Sequence, residues 1–300
     1  MELDNLIDTK SKVQEFREIE EKSNDVCSVI LKVENSDFPS NMTLDTMTLF
    51  GKTMTEWVAN AVFDTDIRYA SVGFRDDFLP AVKNAYNPNS KWTFVLFNDA
   101  PLFERKTYLQ ILEYCELKSV NVLRLTRGYV FSTEYLTKIE SLLNPQIEYF
   151  EEEDFITCHS LKQFAMVADI MKNRILSYFM KNGVVILDPQ STFIDCDVKI
   201  GSGTIIEPFN KILGKTIIES NVQIKSNNTI HNCIICENSV VCGCKISESF
   251  VGKNVQVNAN TVIEKSKICD DVIVPEFCKI DSVVVDRECE LKSFFEYKGE

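Results

Sequence analysis

Isoleucine stands at positions 194, 200, 206, 212, 218, 224 and 230, seven in a row at a constant six-residue spacing. An α-helix repeats every 3.6 residues and a lone strand every two, so neither produces that interval. A fixed period points to a stacked solenoid in which each unit buries one aliphatic residue against its neighbours. Six residues per short strand and three strands per turn define a triangular prism. The pattern continues, with some five-residue steps, through Ile235, Val241, Ile246, Val251, Val257, Ile263, Ile268, Val274, Ile280 and Val285, making 17 units, or five to six turns. Between the aliphatics lie GSGT, ESNV, KSNN, ENSV and GKNV. Asn, Gly, Asp and Ser tolerate the left-handed backbone that sharp corners need. The reading is a left-handed parallel β-helix over residues 184–300, its repeat ending at about Val285.

Upstream the period changes. Leu161, Phe164, Ala168, Met171, Ile175 and Phe179 form a stripe at three-to-four spacing, which predicts a helix over 160–183 with Ser160 as its N-cap and Gly183 as its stop. Residues 27–160 alternate strand-like and helical runs, as in an α/β layer. CSVIL (27–31) and WTFVLF (92–97) read as buried strands; TMTEWVANAVF (53–63) and LQILEYCELK (109–118) read as helices. Residues 1–24, with Ile7, Val13, Phe16 and Ile19 among many charges, read as an amphipathic helical extension. Four segments are therefore expected: 1–24, an α/β domain over 25–159, a linker helix over 160–183 and the β-helix over 184–300.

Charge and cysteine content narrow the partners. The 300 residues carry a formal net charge of −13 and no basic block, which excludes a phosphate backbone as the expected partner. The densest charge run, EEED at 151–154, reads as a solvated loop. No stretch approaches the roughly 20 apolar residues that cross a bilayer, and the first residues lack an apolar signal core. Eleven cysteines in such a chain read as thiols in a reducing, cytoplasmic setting. Cys233 and Cys236 form a CxxC, and Cys242 is followed closely by Cys244, but these fall inside the repeat, where small apolar fillers are needed and a zinc site is not expected.

The segment GVVILDPQSTFIDCDVKIGSGTIIEP, residues 183–208, preceded by a long helix, resembles the start of the β-helix in the bacterial bifunctional N-acetylglucosamine-1-phosphate uridyltransferase/glucosamine-1-phosphate acetyltransferase family. VIL at 29–31 resembles that family's first strand, and GKTM at 51–54 its GKPM helix start. FNDAPLFERKTYLQIL at 97–112 resembles its GDxPLLxxxTLxxLL stretch, and RGYVFSTEYL at 127–136 its later strand-plus-helix segment. The resemblance implies a Rossmann-like α/β nucleotidyltransferase-like domain before the β-helix, assembly into a trimer, and sugar-1-phosphate uridylyl transfer that makes UDP-N-acetylglucosamine with Mg²⁺. It marks Asp99 as the Mg²⁺ ligand and Lys52 as a substrate-binding residue; an Asp opening a turn and a helix-start Lys are the plain structural readings of the same two positions.

The chain departs from the family where chemistry demands most. A Gly-rich LxxGxGTRM loop should follow the first strand, because backbone N–H groups must approach the phosphates while cations neutralise them. Residues 31–52 instead offer no glycine before Gly51 and no Lys or Arg between Lys32 and Lys52, and carry Glu34, Asp37 and Asp45. The segment that the resemblance would have hold the sugar is read as deleted between Asn121 and Arg127, and no second Mg²⁺ ligand stands out. Acetyl transfer needs a His base beside its amine; of the two histidines, His231 reads as a surface corner residue and His159 as flanking the helix. The expectation is a degenerate, truncated family member, a pseudoenzyme acting as an oligomeric scaffold, a regulatory subunit or a nucleotide-sugar binder. The alternative is an active uridyltransferase with an unfamiliar phosphate loop.

Overall fold

The computed structural model describes residues 25–33, 38–39, 42–73, 77–142 and 144–299. The amphipathic extension expected over 1–24 lies outside these residues, as do Glu34 and Asp37. By its internal contacts the chain divides into two compact units, one ending at Asp169 and one running from Ile170, a boundary that falls inside the linker helix.

The first unit is built on β1 (Val26–Val33), whose VCSVILKV run is buried on both faces, as a central parallel strand requires. A two-residue hairpin follows, β2 (Thr48–Leu49) and β3 (Lys52–Thr53), then α1 (Met54–Ala61). Thr53 caps α1 reciprocally with Glu56, each side chain taking the other's backbone N–H. Next come β4 (Asp66–Val72), α2 (Leu79–Ala85), β5 (Trp92–Phe97), α3 (Arg105–Lys118), β6 (Val122–Leu125), β7 (Gly128–Ser132), α4 (Thr133–Lys138) and β8 (Gln146–Ile147). The sheet order is β4-β1-β5-β7-β6-β8, with β1 parallel to β4 and β5, and with β7 antiparallel to both neighbours. This is a Rossmann-like layer. Hydrophobic clusters cover both faces, one around Phe94, Tyr108 and Ile111, the other around Leu31, Val95 and Phe131. The four elements read from sequence are present, and α3 begins four residues earlier than the pattern suggested.

The EEED run is not a solvated loop throughout. Glu152–Phe155 form a 3-10 turn in which Asp154 is buried and accepts the hydroxyl of Thr107. A spacing of charges cannot reveal that one of four acids points inward.

The linker helix, α5 (Leu161–Lys181), has Ser160 Oγ accepting from Gln163 N and stops at Gly183, where φ is +85°. Its buried residues are Val167, Met171, Leu176 and Phe179, while Leu161 is exposed. The inward stripe is thus rotated from the one expected. Leu176 and Phe179 join the core of the second unit with Val184 and Ile194, closing one end of the solenoid.

That solenoid is the expected three-sided parallel β-helix. Its strands stack into sheets of seven, six and six, so it exceeds six turns. The two additions are Val185–Ile186 at the start and Glu296–Lys298 at the end, the latter pairing with Lys279–Asp281 after a loop. The repeat therefore does not end at Val285. Sixteen of the 17 inward aliphatics are buried and the other, Ile200, is half-buried. Corners are turned at positive φ by Asn221, Asn227, Asn232, Asn238, Asn254 and Asn260. Asn is the residue whose short amide best tolerates that geometry.

One column inside the prism is polar. Asn210 and Asn228 stack one turn apart, both buried, and Cys244, Thr261 and Cys278 continue the line. Asn228 Nδ2 donates to Asn210 Oδ1 at 2.9 Å and to the Lys225 carbonyl at 2.5 Å, and Asn228 Oδ1 accepts from Cys244 N at 2.8 Å.

All eleven cysteines are free; seven are buried and Cys289 is exposed. Burial pushes the Cys115 thiol up to about 12 and those of Cys158, Cys233 and Cys244 to about 11. The reactive species is the thiolate. At pH 8 a group near 11 is ionised to only about one part in a thousand, so a disulfide reagent should react promptly with Cys289 and reach these four only on unfolding. Prompt modification of Cys158 in the native chain, read by peptide mass mapping, would contradict this packing.

Candidate functional site

The connection from β1 through α1 places β4 on one side of β1, and the connection through α2 places β5 on the other. The carboxyl ends of β1 and β5 therefore form the topological switch point, where an open α/β sheet receives its ligand. Leu31–Val33 end one strand, and Phe97, Asn98 and Asp99 end the other.

Asn98 spans the gap. Its backbone N donates to Leu31 O at 3.0 Å, and its Oδ1 accepts from Val33 N at 3.0 Å. Its Nδ2 donates to Thr55 Oγ1 at 3.2 Å, and Thr55 in turn bonds the Asp45 carboxylate, which pairs with Lys32 at 3.0 Å. Burial raises the Asp45 pKa, but the hydrogen bonds from Thr55 and Lys32 together outweigh that and leave it below its usual 3.8. Asp45, expected as a repulsive acid, is thus neutralised by Lys32, and the side-chain amide of Asn98 stands where the family's glycine would leave open backbone.

Asp99 is fully buried. Arg127 grips it with two bonds, Nε to Oδ1 at 2.9 Å and Nη2 to Oδ2 at 2.5 Å, and His159 Nε2 lies 3.4 Å from Oδ2. The guanidinium lies 3.9 Å from the Phe97 ring centroid, so it is packed as well as paired. The Asp99 carbonyl accepts from Cys158 N at 2.7 Å. Arg127 belongs to the hairpin between β6 and β7, where Leu125 pairs with Gly128 and only Thr126 and Arg127 remain as loop. The stretch between Asn121 and Arg127 is therefore strand β6 followed by a tight turn that carries the clamp on Asp99. Gly128 holds it in place: its φ is +140°, and a Cβ there would meet Val95 O at 2.7 Å.

A magnesium ion needs exposed carboxylate oxygens and room for several waters at close to octahedral geometry. Asp99 offers neither while Arg127 holds both of its oxygens, so these residues do not fit the ion. Among the described residues no group of three or more His, Cys, Asp and Glu side chains could hold a metal. Lys52 sits on β3 with its ammonium 5.8 Å from the Trp57 ring, directly before the Thr53 cap. His231 is exposed, next to the corner at Asn232.

Beside the clamp lies a crevice of about 210 Å³ at the ends of β1, β4 and β5, lined by Val33, Phe78, Phe97, Arg124, Arg127 and Tyr129. Phe78 stacks on Tyr129 at 4.7 Å. Sequence reading singled out neither Arg124 nor Arg127. The one signal available was an Arg-Gly pair at a turn, and its target lies 28 residues away.

Residues 215–296 match the family model described as GlmU-like, C-terminal hexapeptide. The chain is 32% identical over 147 residues to the bifunctional protein GlmU of Clostridium acetobutylicum, a stretch covering 46% of this chain and 32% of that protein. It is 38% identical over 107 residues to that of Listeria monocytogenes, with 36% and 23% covered, and 43% identical over 89 residues to that of Clostridium tetani, with 30% and 19% covered. Rv0371c from Mycobacterium tuberculosis aligns over 49% of this chain and 99% of its own at a TM-score of 0.36 and 12% identity, a likeness too slight to bear on function. Fold and similarity together show that residues 215–296 of the β-helix are like the C-terminal hexapeptide segment of GlmU-like proteins. The matched stretch spans about a third or less of those relatives' own length. Among the described residues, no helix is long and apolar enough to cross a membrane.

Proposed function

We propose that this chain is a catalytically silent GlmU-like protein that keeps the architecture and serves as an oligomeric scaffold or regulatory subunit. The carrying observation is the bidentate Arg127–Asp99 pair. A cation already occupies the position from which the resemblance would have Asp99 hold Mg²⁺, and the Lys32–Asp45–Thr55–Asn98 chain fills the gap in which a phosphate loop would work. Eleven free thiols support a reducing, cytoplasmic setting.

The test is a pyrophosphate-release assay with UTP, a panel of sugar 1-phosphates and Mg²⁺. No signal above background is expected. A turnover that disappears in Asp99→Ala would restore the uridyltransferase reading. Binding without turnover is a second reading, favoured by the crevice beside Arg124; calorimetric uptake of UDP-N-acetylglucosamine by a chain that releases no pyrophosphate would select it.

The prism supports self-association. Ile217, Ile234 and Phe250 stand in register on its outer surface, each beside a buried inward neighbour. Such an apolar ladder matches the trimeric assembly that the hexapeptide resemblance implies. Light scattering should report three times the 34.3 kDa chain mass. A monodisperse monomer at micromolar concentration would argue against that use of the face.

A further inference from the structure

Asn182 and Gly183 form the only Asn-Gly pair in the 300 residues, and they sit where the linker helix hands over to the prism. Both are exposed. In this dipeptide the main-chain nitrogen of the glycine can attack the carbonyl carbon of the asparagine side chain. A five-membered succinimide forms as the bond to the side-chain nitrogen breaks and ammonia leaves. Water then opens the ring at either carbonyl, giving aspartate or isoaspartate, and no oxidant or reductant takes part. Glycine is the most favourable successor because it has no side chain to crowd the ring.

The fold engages both reacting groups elsewhere. Gly183 N donates to Met180 O at 3.2 Å, and Asn182 Nδ2 donates to Tyr178 O at 2.8 Å, which turns the side-chain amide back along the helix. The stop itself is fixed in place. Gly183 has a φ of +85°, its carbonyl accepts from Gly203 N at 2.9 Å, and Val184 N donates to Phe179 O at 3.1 Å. Phe179 and Val184 are in turn buried in the prism core. Closing the succinimide requires Gly183 N and the Asn182 amide to leave their partners together. At about a factor of five for each hydrogen bond, that holds the reaction back roughly 25-fold relative to a free chain.

We propose that Asn182 is a site of spontaneous deamidation that the native helix stop keeps closed and that opens when the last helical turn frays. The last turn of a helix is its least protected part, since its final carbonyls lack helical partners. Aspartate puts a full negative charge at the carbonyl end of the helix, where the dipole disfavours it. Isoaspartate adds a carbon to the main chain between helix and prism, which pulls the Gly183–Gly203 bond against the seat of Phe179. Either product loosens the lid that Leu176 and Phe179 place on the prism. The site is separate from the Asp99 clamp, and its reaction is the same whether or not the chain turns over a nucleotide.

Peptide mass mapping of the whole chain during incubation at mildly alkaline pH tests this, run in parallel in buffer and in urea. In urea the peptide carrying Asn182 should gain one mass unit and separate into aspartate and isoaspartate forms. In buffer the same change should be at least tenfold slower. Phe179→Ala, which releases the last turn from the prism core, should raise the rate in buffer at least threefold, with circular dichroism confirming that the prism is kept. Calorimetry of the aged chain should show the prism transition lowered in proportion to the isoaspartate found. Equal rates in buffer and urea, no reaction at Asn182 in urea, or an unchanged rate in folded Phe179→Ala would overturn the proposal.

Discussion

Arg127→Leu is expected to destabilise the α/β unit by about 3–5 kcal/mol, the usual result of stripping the partner from a buried charge. Asp99 has no exposed surface, so its carboxylate would lose two bonds with no water to replace them. His159, at 3.4 Å from one oxygen, is too distant to take over both. Both tryptophans, Trp57 and Trp92, lie in this unit, so the urea midpoint of tryptophan fluorescence reads it apart from the prism. The double variant Arg127→Leu with Asp99→Leu should recover most of the loss, because a buried pair replaced by apolar residues of similar size is often close to neutral. A single variant within about 0.5 kcal/mol of the parent, inside the range of ordinary surface changes, would show that the clamp is not formed in solution. The same comparison bears on function. An Asp99 retained for catalysis would need Arg127 to release it, so a loose clamp and a measurable turnover should appear together or not at all.

The second large effect is expected inside the prism. Asn228→Leu nearly conserves volume, so it isolates hydrogen bonding from packing. It leaves the Cys244 N–H and the Lys225 carbonyl without the amide that served them, and deprives Asn210 Oδ1 of one of its donors. At about 1–3 kcal/mol for each of the two groups left without their partner, the loss should come to roughly 2–6 kcal/mol. Lys225 also receives Asn210 Nδ2 at 2.9 Å, which places the expected value in the lower half of that range. Calorimetry should show the prism transition moving down while the fluorescence midpoint of the α/β unit stays fixed. The neighbouring exchange Asn227→Ala has a different cause and a smaller size: it removes the short amide that lets Asn tolerate a φ of +67° at an exposed corner and should cost about 1 kcal/mol. Equal effects at the two positions would mean that their environments are not the ones described.

These two asparagines mark where sequence reading stops. Both belong to the KSNN stretch, and both fit the corner composition; one turns the chain and the other is buried in the column with Asn210 and Cys244. Period alone does not separate them, because the distinction lies in which of two adjacent amides meets the turn above. The linker helix shows the same limit: its existence followed from the 3.6-residue pattern, but its inward face did not, since Leu161 is exposed while Val167 and Leu176 are buried.

What the sequence by itself determined is the prism. Each strand's inward aliphatic meets its counterparts one turn away, 16 to 18 residues along the chain, so the packing is written as a short-range period that can be counted. It also determined the strands β1 and β5, because a central parallel strand is apolar on both faces and reads as a continuous run. Tertiary structure alone decided the chemistry of the switch point. Asn98 closes on Val33 across 65 residues and Arg127 reaches Asp99 across 28, and neither pairing leaves a local trace, since one amide and one guanidinium look alike in any loop. It also decided that, among the described residues, β4 is an end strand of the sheet. A strand's own residues state how it packs above and below; whether anything lies beside it depends on the rest of the fold.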